Sequence, residues 1–128
     1  MSGPKVVLWR PMYNQIGHRM LAEGGARVTV VDSSDQGKVI AEIGDADALW
    51  VRTPERVTPE LIDAAGSLVC ISTSGFGTDN IPIDAATQNG ILCFNHLGFG
   101  RTPVAEHSLM FMLAVLKNLL WCDRSTRD

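Results

Sequence analysis

The sequence has no concentrated patch of basic residues. Its 11 lysines and arginines are scattered along 128 residues and outnumbered by 14 acidic residues, and the formal net charge is −3. Nucleic acids and anionic membranes attract proteins mainly through clustered positive charge. We therefore expect a small molecule or another protein as the partner of this chain, and no nucleic acid.

Paired cysteines are also missing. Cys70, Cys93 and Cys122 are odd in number and show no C-x-x-C spacing, and the first two lie in apolar runs typical of buried thiols. The N-terminus lacks the apolar stretch of a signal peptide. Reduced cysteines and a cytoplasmic location are the resulting predictions.

No uninterrupted apolar run reaches the roughly 20 residues that a membrane span needs. The longest candidate, Val104–Trp121, is broken by Glu106 and Lys117. We interpret this segment as a buried helix and expect no membrane partner.

The signature of a dinucleotide loop, G-x-G-x-x-G, is incomplete at both places where it begins. Gly75-Phe76-Gly77 and Gly98-Phe99-Gly100 each follow an apolar run. The third glycine is replaced by Asn80 in the first and by Pro103 in the second. Asp32, placed where a ribose-binding acid would sit, is accordingly predicted to be a cap or turn residue.

The residue spacing gives no indication of a metal site or a catalytic nucleophile. His18, His96 and His107 are far apart, and no carboxylate or cysteine shares ligand spacing with them. No serine lies in a G-x-S-x-G turn. The sequence predicts neither a metal site nor a catalytic nucleophile or general base.

What the sequence does contain is five short apolar runs, rich in Val, Ile and Leu, of the kind that form strands covered on both faces. They are Val6–Trp9, Val28–Val31, Ala48–Val51, Leu68–Ile71 and Ile91–Phe94. The helical segments between them are Gln15–Glu23, Gln36–Ile43, Pro59–Ala65 behind Thr58, and Pro82–Asn89 behind Asn80. This alternation predicts an α/β fold with a flavodoxin-like, doubly wound, parallel five-stranded sheet.

A long apolar helix is predicted after the fifth run, with Thr102 as N-cap and Pro103 in its first position. Apolar residues from Leu109 to Leu116 occupy nearly every side of it. Such a helix needs cover on more than one side. We expect a second domain, absent from this chain, to provide part of that cover.

Two features at the predicted carboxyl ends of strands suit an anion. The loop Ser72–Gly77 is made of small residues at the edge where doubly wound folds collect ligands, and Arg52-Thr53 ends the neighbouring strand. A tight turn held by two glycines and a surface ion pair of Arg52 are the competing interpretations. The residues alone leave both open.

Four motifs, taken in order and spacing, resemble the D-isomer-specific 2-hydroxyacid dehydrogenases, the family that includes phosphoglycerate dehydrogenase and glyoxylate reductase. The motifs are Leu61–Ala65, Gly75–Ile81, Asp84–Ile91, and Asn95 with Val104–His107. Together with Val51-Arg52-Thr53, the resemblance covers roughly the whole chain.

The resemblance implies roles for individual residues. Arg52 and Thr53 match the pair near the substrate carboxylate, and Phe76 and Gly77 match loop positions whose backbone amides bind it. Val104 matches a position that lines the nicotinamide, and Asn95 matches the asparagine that closes the fifth strand. Two positions depart from the family pattern: Gly100 replaces a polar asparagine near the substrate, and His96-Leu97 replaces the usual Thr-Pro.

The same resemblance implies that residues 1–101 are the N-terminal segment of a substrate-binding domain, and that 102–128 form an interdomain helix and the start of a linker. The dinucleotide-binding domain, with the catalytic Arg, Glu and His, would follow. The implied function is the substrate-domain portion of an NAD(P)-dependent oxidoreductase that acts as a homodimer on a small 2-hydroxy or 2-keto acid. The alternative is a stand-alone anion-binding or regulatory domain without catalysis.

We predict that the 128-residue chain alone reduces no 2-keto acid with NADH or NADPH, because it lacks a complete dinucleotide loop and a positioned acid–base residue. The measurement is the absorbance of NADH with the purified chain and a panel of 2-keto acids. Oxidation of NADH in proportion to the amount of chain would contradict the prediction.

Overall fold

One parallel sheet organises the first part of the computed structural model, which describes residues 3–127. Its strands are β1 (Lys5–Trp9), β2 (Arg27–Val31), β3 (Ala48–Val51), β4 (Cys70–Thr73) and β5 (Leu92–Phe94). All neighbouring pairs are parallel, and the order across the sheet is β2-β1-β3-β4-β5. The flavodoxin-like order predicted from the sequence is therefore confirmed.

Four helices connect these strands: α1 (Gln15–Glu23), α2 (Gln36–Ile43), α3 (Pro59–Ala64) and α4 (Ile83–Gln88). The last three each bury apolar side chains in the core, whereas α1 buries none. The side chains of Val39, Ile43 and Leu61 are fully buried in one cluster with sheet residues such as Leu49 and Ile71. The core thus lies between the sheet and the helices α2–α4.

Thr58 joins two of these helices through one hydroxyl group. Its Oγ1 accepts a hydrogen bond from the backbone N–H of Leu61 at 3.4 Å, which caps α3 as predicted. The same oxygen accepts a hydrogen bond from Nε2 of Gln36, the first residue of α2, at 2.8 Å. A local capping residue therefore also fixes the approach of α2 to α3.

Lys5 is a buried lysine at the start of β1, and its ammonium group is paired with acidic side chains. Its Nζ donates to the carbonyl of Glu42 at 2.7 Å and forms ion pairs with Asp45 and Glu42. The hydrogen bond to Asp45 raises the pKa of Lys5 despite the opposing effect of burial, and the same bond lowers the pKa of Asp45. Pairing, not solvent, satisfies this ammonium group.

Several element boundaries differ from the prediction, mostly by one residue. Strand β4 runs two residues later than predicted, because Leu68 lies in the turn after α3 while Thr73 belongs to the strand. Helix α4 has Pro82 as its N-cap without a side-chain hydrogen bond, so Asn80 is not the cap. Gly25 and Gly90 adopt the left-handed conformation expected after a helix, with φ of 84° and 70°.

Gly44, which follows α2, instead keeps the right-handed helical conformation, with φ of −55°. Gly66 is likewise not among the described glycines with positive φ. Neither turn therefore requires glycine for its backbone conformation.

The chain divides into two compact units, the first ending at His96 and the second beginning at Leu97. The second unit contains α5 (Arg101–Leu116) and α6 (Leu119–Arg127). The prediction of one continuous helix was wrong, because Asn118 adopts a left-handed φ of 50° that ends α5. The predicted start was also late, since Gly100 is the N-cap and Thr102 and Pro103 lie inside the helix.

The prediction that this segment is buried was also wrong for the described chain. Neither α5 nor α6 contains a buried residue, although α5 is apolar along most of its length. Within residues 3–127, no single helix is long and apolar enough to cross a membrane. The pair formed by α5 and α6 meets the criteria of length and composition only when taken together, and it is bent by 61°.

We predict that Thr58→Ala lowers the free energy of unfolding by about 1 kcal/mol, within a range of about 0.5–2 kcal/mol, because α3 loses its cap and α2 loses its tie. Urea unfolding followed by circular dichroism measures the change. Thr58→Ser keeps the hydroxyl and is expected to retain most of the stability. Equal loss in both variants would show that the methyl group, not the hydroxyl, matters.

Candidate functional site

The carboxyl ends of three neighbouring strands bring polar residues to one edge of the sheet. Trp9 of β1 lies in register with Val51 of β3, which lies in register with Thr73 of β4. The residues that follow these strand ends therefore emerge side by side, as ligand-binding residues do in doubly wound folds. Arg10 and Arg52 are two of them.

The guanidinium group of Arg52 lies over an aromatic ring. Its guanidinium carbon lies 4.6 Å from the centre of the Tyr13 ring, on the loop after β1. Its Nε is buried and has no hydrogen-bond partner among the described residues. Arg52 forms no ion pair with residues 3–127, so these residues do not support the competing interpretation of Arg52 as a surface ion-pair residue.

A cavity of about 500 Å³ opens at the same edge. It is lined by two of the predicted site residues, Thr53 and Gly77. The other residues that line it are Pro54, Arg56, Thr73, Gly75, Asp79 and Asn80. Of the predicted site residues, the structure thus brings together Thr53, from the end of β3, and Gly77, from the loop after β4. Arg52 and Phe76 are not among the residues that line this cavity.

Asn95 holds the loop that follows β4. Its Nδ2 donates to the carbonyl oxygen of Phe76 at 2.7 Å, and the backbone N–H of His96 donates to the carbonyl oxygen of Gly75 at 3.0 Å. The residues after β5 therefore fix the conformation of the Gly75–Gly77 loop from one side. This gives a physical reason for an asparagine at the end of the fifth strand.

Asn80 holds the other end of that loop from within the protein. It is buried, and its Nδ2 donates to the carbonyl oxygen of Glu55 at 3.2 Å. Its Oδ1 accepts from the hydroxyl of Thr73 at 3.5 Å, and its carbonyl accepts from the backbone N–H of Val57 at 2.9 Å. One buried amide thus connects β4, the loop after it, and the segment after β3.

Glu55 is a buried carboxylate paired with the arginine that follows β1. Its Oε1 accepts from Nε of Arg10 at 2.7 Å, while its Oε2 has no partner among the described residues. Arg10 also donates to Asp32 at 3.0 Å, and these two carboxylates raise its pKa, Glu55 more than Asp32. Asp32 is therefore an ion-pair residue and not the predicted cap or turn residue.

Sequence reasoning missed Arg10, Glu55 and the buried role of Asn80. Arg10 and Glu55 are 45 residues apart, and no local pattern connects them. The available signal was positional, because Arg10 directly follows β1 at the edge where Arg52 follows β3. Asn80 was interpreted as a helix cap because it precedes Pro82.

The model of the D-isomer specific 2-hydroxyacid dehydrogenase catalytic domain matches residues 6–126 of this sequence. The chain belongs to this family. It is similar to the D-3-phosphoglycerate dehydrogenase of Archaeoglobus fulgidus, with 35% identity over 108 residues, which are 84% of this chain and 20% of that protein. The chain therefore spans about a fifth of the length of this curated relative.

Two solved structures resemble this fold. A 3-phosphoglycerate dehydrogenase of Entamoeba histolytica, solved with NAD⁺, is 30% identical, covers 88% of this chain and 39% of its own, and has a TM-score of 0.76. A protein of Thermus thermophilus is 23% identical, covers 97% of this chain and 40% of its own, and has a TM-score of 0.82. The second likeness concerns the fold alone.

The turn after β1 lacks the glycine that a dinucleotide loop has there. It begins with Arg10 in a left-handed conformation, with φ of 81°. A Cβ built on Gly75, Gly98 or Gly100 would meet no atom of the described residues within 4 Å, so packing within the protein does not require these glycines. Val104 lies on α5 in the second unit, with 65% of its surface exposed.

Within residues 3–127, no group of three or more His, Cys, Asp or Glu side chains has the arrangement of a metal site. Burial raises the pKa of the Cys70 and Cys93 thiols, which disfavours their thiolate forms. These two thiols therefore lack the lowered pKa that a reactive nucleophile needs.

We predict that Asn80→Ala lowers the free energy of unfolding by about 1–3 kcal/mol, because the buried Glu55 carbonyl and Thr73 hydroxyl lose their partner. Asn89→Ala is the matched control, since the Asn89 amide also donates to a carbonyl, that of Ala85 at 3.0 Å, but is exposed. We expect the control to change stability by at most about 0.5 kcal/mol. Similar losses in both variants, measured by urea unfolding, would contradict the buried role.

Proposed function

We propose that this chain is the substrate-binding portion of an NAD(P)-dependent oxidoreductase that interconverts a small 2-hydroxy acid and its 2-keto acid. The family match over residues 6–126 is the observation that carries the proposal. In this proposal, residues 1–101 belong to the substrate-binding domain. Residues 102–128 lead towards a dinucleotide-binding domain in the full-length enzyme.

Arg52 is the proposed anchor for the substrate carboxylate. A guanidinium group can donate two parallel hydrogen bonds to a carboxylate, and such charge-assisted bonds are stronger than neutral ones. The Arg52 side chain makes no hydrogen bond or ion pair with residues 3–127, and its buried Nε lacks a partner. A bound carboxylate would supply an acceptor that the protein itself does not.

Thr53, Phe76 and Gly77 complete the proposed substrate site. Thr53 and Gly77 line the same cavity, which supports their assignment to one site. The backbone amides of Phe76 and Gly77 are proposed to donate to the carboxylate, and the bond from Asn95 to the Phe76 carbonyl keeps this loop in one conformation. The chain thereby binds the acid and orients its C2 atom.

The proposed cofactor is NAD or NADP, bound mainly by parts of the full-length enzyme outside these 128 residues. The related enzyme of Entamoeba histolytica was solved with NAD⁺. When bound, the nicotinamide supplies the hydride chemistry. Val104 is the one cofactor-contacting residue that we propose in this chain, and we assign no catalytic acid or base to it.

A homodimer and a cytoplasmic location complete the proposal. The apolar residues of α5 are exposed in the described chain, including Phe111, Leu113 and Leu116. Each large apolar side chain withdrawn from water contributes about 1.5–3 kcal/mol, so association that covers α5 would be favourable. The unpaired, reduced state of the three cysteines is the basis for the cytoplasmic location.

We predict that Arg52→Ala in the full-length enzyme raises the KM for its best 2-keto acid, or lowers kcat/KM, by roughly 10- to 150-fold. The range follows from about 1.5–3 kcal/mol for a lost charge-assisted hydrogen bond. Steady-state NADH oxidation with glyoxylate, pyruvate and other 2-keto acids, and NAD⁺ reduction with 3-phosphoglycerate, provide the measurement.

Arg19→Ala is the control for loss of a positive charge. Arg19 is exposed on α1 and pairs only with its helical neighbour Glu23, at 3.7 Å. We expect its substitution to leave KM and kcat unchanged. If Arg52→Ala behaves like Arg19→Ala, the assignment of Arg52 to the carboxylate is wrong.

A further inference from the structure

Tyr13 is a large aromatic residue in a place where core packing does not explain it. It is the only tyrosine of the chain, and 75% of its surface is exposed. Its one described contact of note is with Arg52, whose guanidinium carbon lies 4.6 Å from the ring centre. The Tyr13 ring therefore contacts Arg52 and does not pack in the core.

The loop that carries Tyr13 is fixed on both sides. On one side, the backbone N–H of Arg10 donates to Val31 at 3.0 Å, and the Arg10 side chain is bound to Glu55. On the other side, Asn14 caps α1 by accepting a hydrogen bond from Ile16 at 2.9 Å. Only Pro11, Met12 and Tyr13 lie between these two anchored residues, so the backbone that carries the ring is held at both ends.

Stacking on an aromatic ring has a specific consequence for a guanidinium group. The group is planar, and its N–H bonds point outwards within that plane. The Arg52 guanidinium lies over the Tyr13 ring, and this cation–π contact restricts where the group can move without engaging a carboxylate or carbonyl acceptor. Glu55, the nearest carboxylate along the chain, is engaged by Arg10 and not by Arg52. The donors of Arg52 thus remain available to a ligand while the group itself is held in place.

We infer that Tyr13 is a positioning residue for the substrate carboxylate, acting through the stack on Arg52. The inference rests on the proposed function of Arg52 as the carboxylate anchor. Pre-orientation reduces the conformational freedom that the arginine loses when it binds, and so strengthens binding. The aromatic face, and not the phenol hydroxyl, provides this effect.

The test uses Tyr13→Phe, Tyr13→Leu and Arg52→Ala, alone and combined, in the full-length enzyme, with glyoxylate and pyruvate as probes. We expect Tyr13→Leu to raise KM about two- to fivefold, the range for a cation–π contact at an exposed site, with a smaller change in kcat. Tyr13→Phe keeps the ring and is expected to behave like the unchanged enzyme. Because Tyr13 is exposed, we expect both Tyr13 variants to fold, and circular dichroism checks the fold of every variant.

The combined variant separates action through Arg52 from direct contact with the substrate. If Tyr13 acts through Arg52, Tyr13→Leu adds nothing to the KM of Arg52→Ala. An equal rise in KM in both backgrounds would overturn the inference, and so would an unchanged KM in Tyr13→Leu alone. A loss in Tyr13→Phe as large as in Tyr13→Leu would also overturn it, because the hydroxyl would then be responsible.

A spectroscopic measurement tests the stack without using activity. The Nε–H proton of Arg52 lies near an aromatic ring in the unchanged protein and in Tyr13→Phe, so its NMR resonance should move only in Tyr13→Leu. No movement in Tyr13→Leu would refute the stack itself. If Arg52→Ala leaves KM unchanged, the proposed function fails; if Arg52→Ala raises KM but Tyr13→Leu does not, only this inference fails.

Discussion

Parallel strands are the constraint on which the rest of this structure depends. A parallel pair cannot be closed by a tight turn, so every strand must be followed by a crossover before the next begins. All five strands therefore end at the same edge, and each crossover starts there. Arg10, Arg52 and the Gly75–Gly77 loop come from distant parts of the sequence, yet the register of β1, β3 and β4 makes them neighbours.

Buried polar groups then decide how that edge is shaped. The amide of Asn80 and the carboxylate of Glu55 are withdrawn from water, which is unfavourable unless each finds a partner. Asn80 is hydrogen-bonded to Glu55 and Thr73, and Glu55 is hydrogen-bonded to Arg10. These bonds hold the segment after β3, the loop after β4 and the end of β1 together. An apolar core alone would not define the directions of these loops.

Much of the fold could be predicted because it depends on local signals. Short segments predict their own structure in β1 and β3, through branched apolar runs, and at the start of α3, through the hydroxyl of Thr58 before Pro59. Strand β4 was misplaced because it buries a polar residue, Thr73, whose hydroxyl donates to Asn80 seven positions later in the sequence. The break after α5 was missed because it depends on one residue, Asn118, adopting a left-handed conformation that its sequence neighbours do not require.

The site was predictable only in part, for the same reason. Thr53 and Gly77 could be placed together, since both follow strands of one parallel sheet. The contacts of Arg10 with Glu55 and of Tyr13 with Arg52 join residues about 40 positions apart, and neither has a signature in the residue order. Such pairs depend on where the loops lead after the sheet has formed.

The three thiols of the chain differ in their chemistry. Cys70 and Cys93 are half-buried on adjacent strands, and burial raises the pKa of each, so little thiolate is present at neutral pH. Cys122 is exposed on α6. Because Cys122 is exposed while Cys70 and Cys93 are half-buried, alkylating reagents reach Cys122 more readily than the other two thiols. A single dye or spin label can therefore be attached to α6 in the natural sequence, without first removing the other two cysteines.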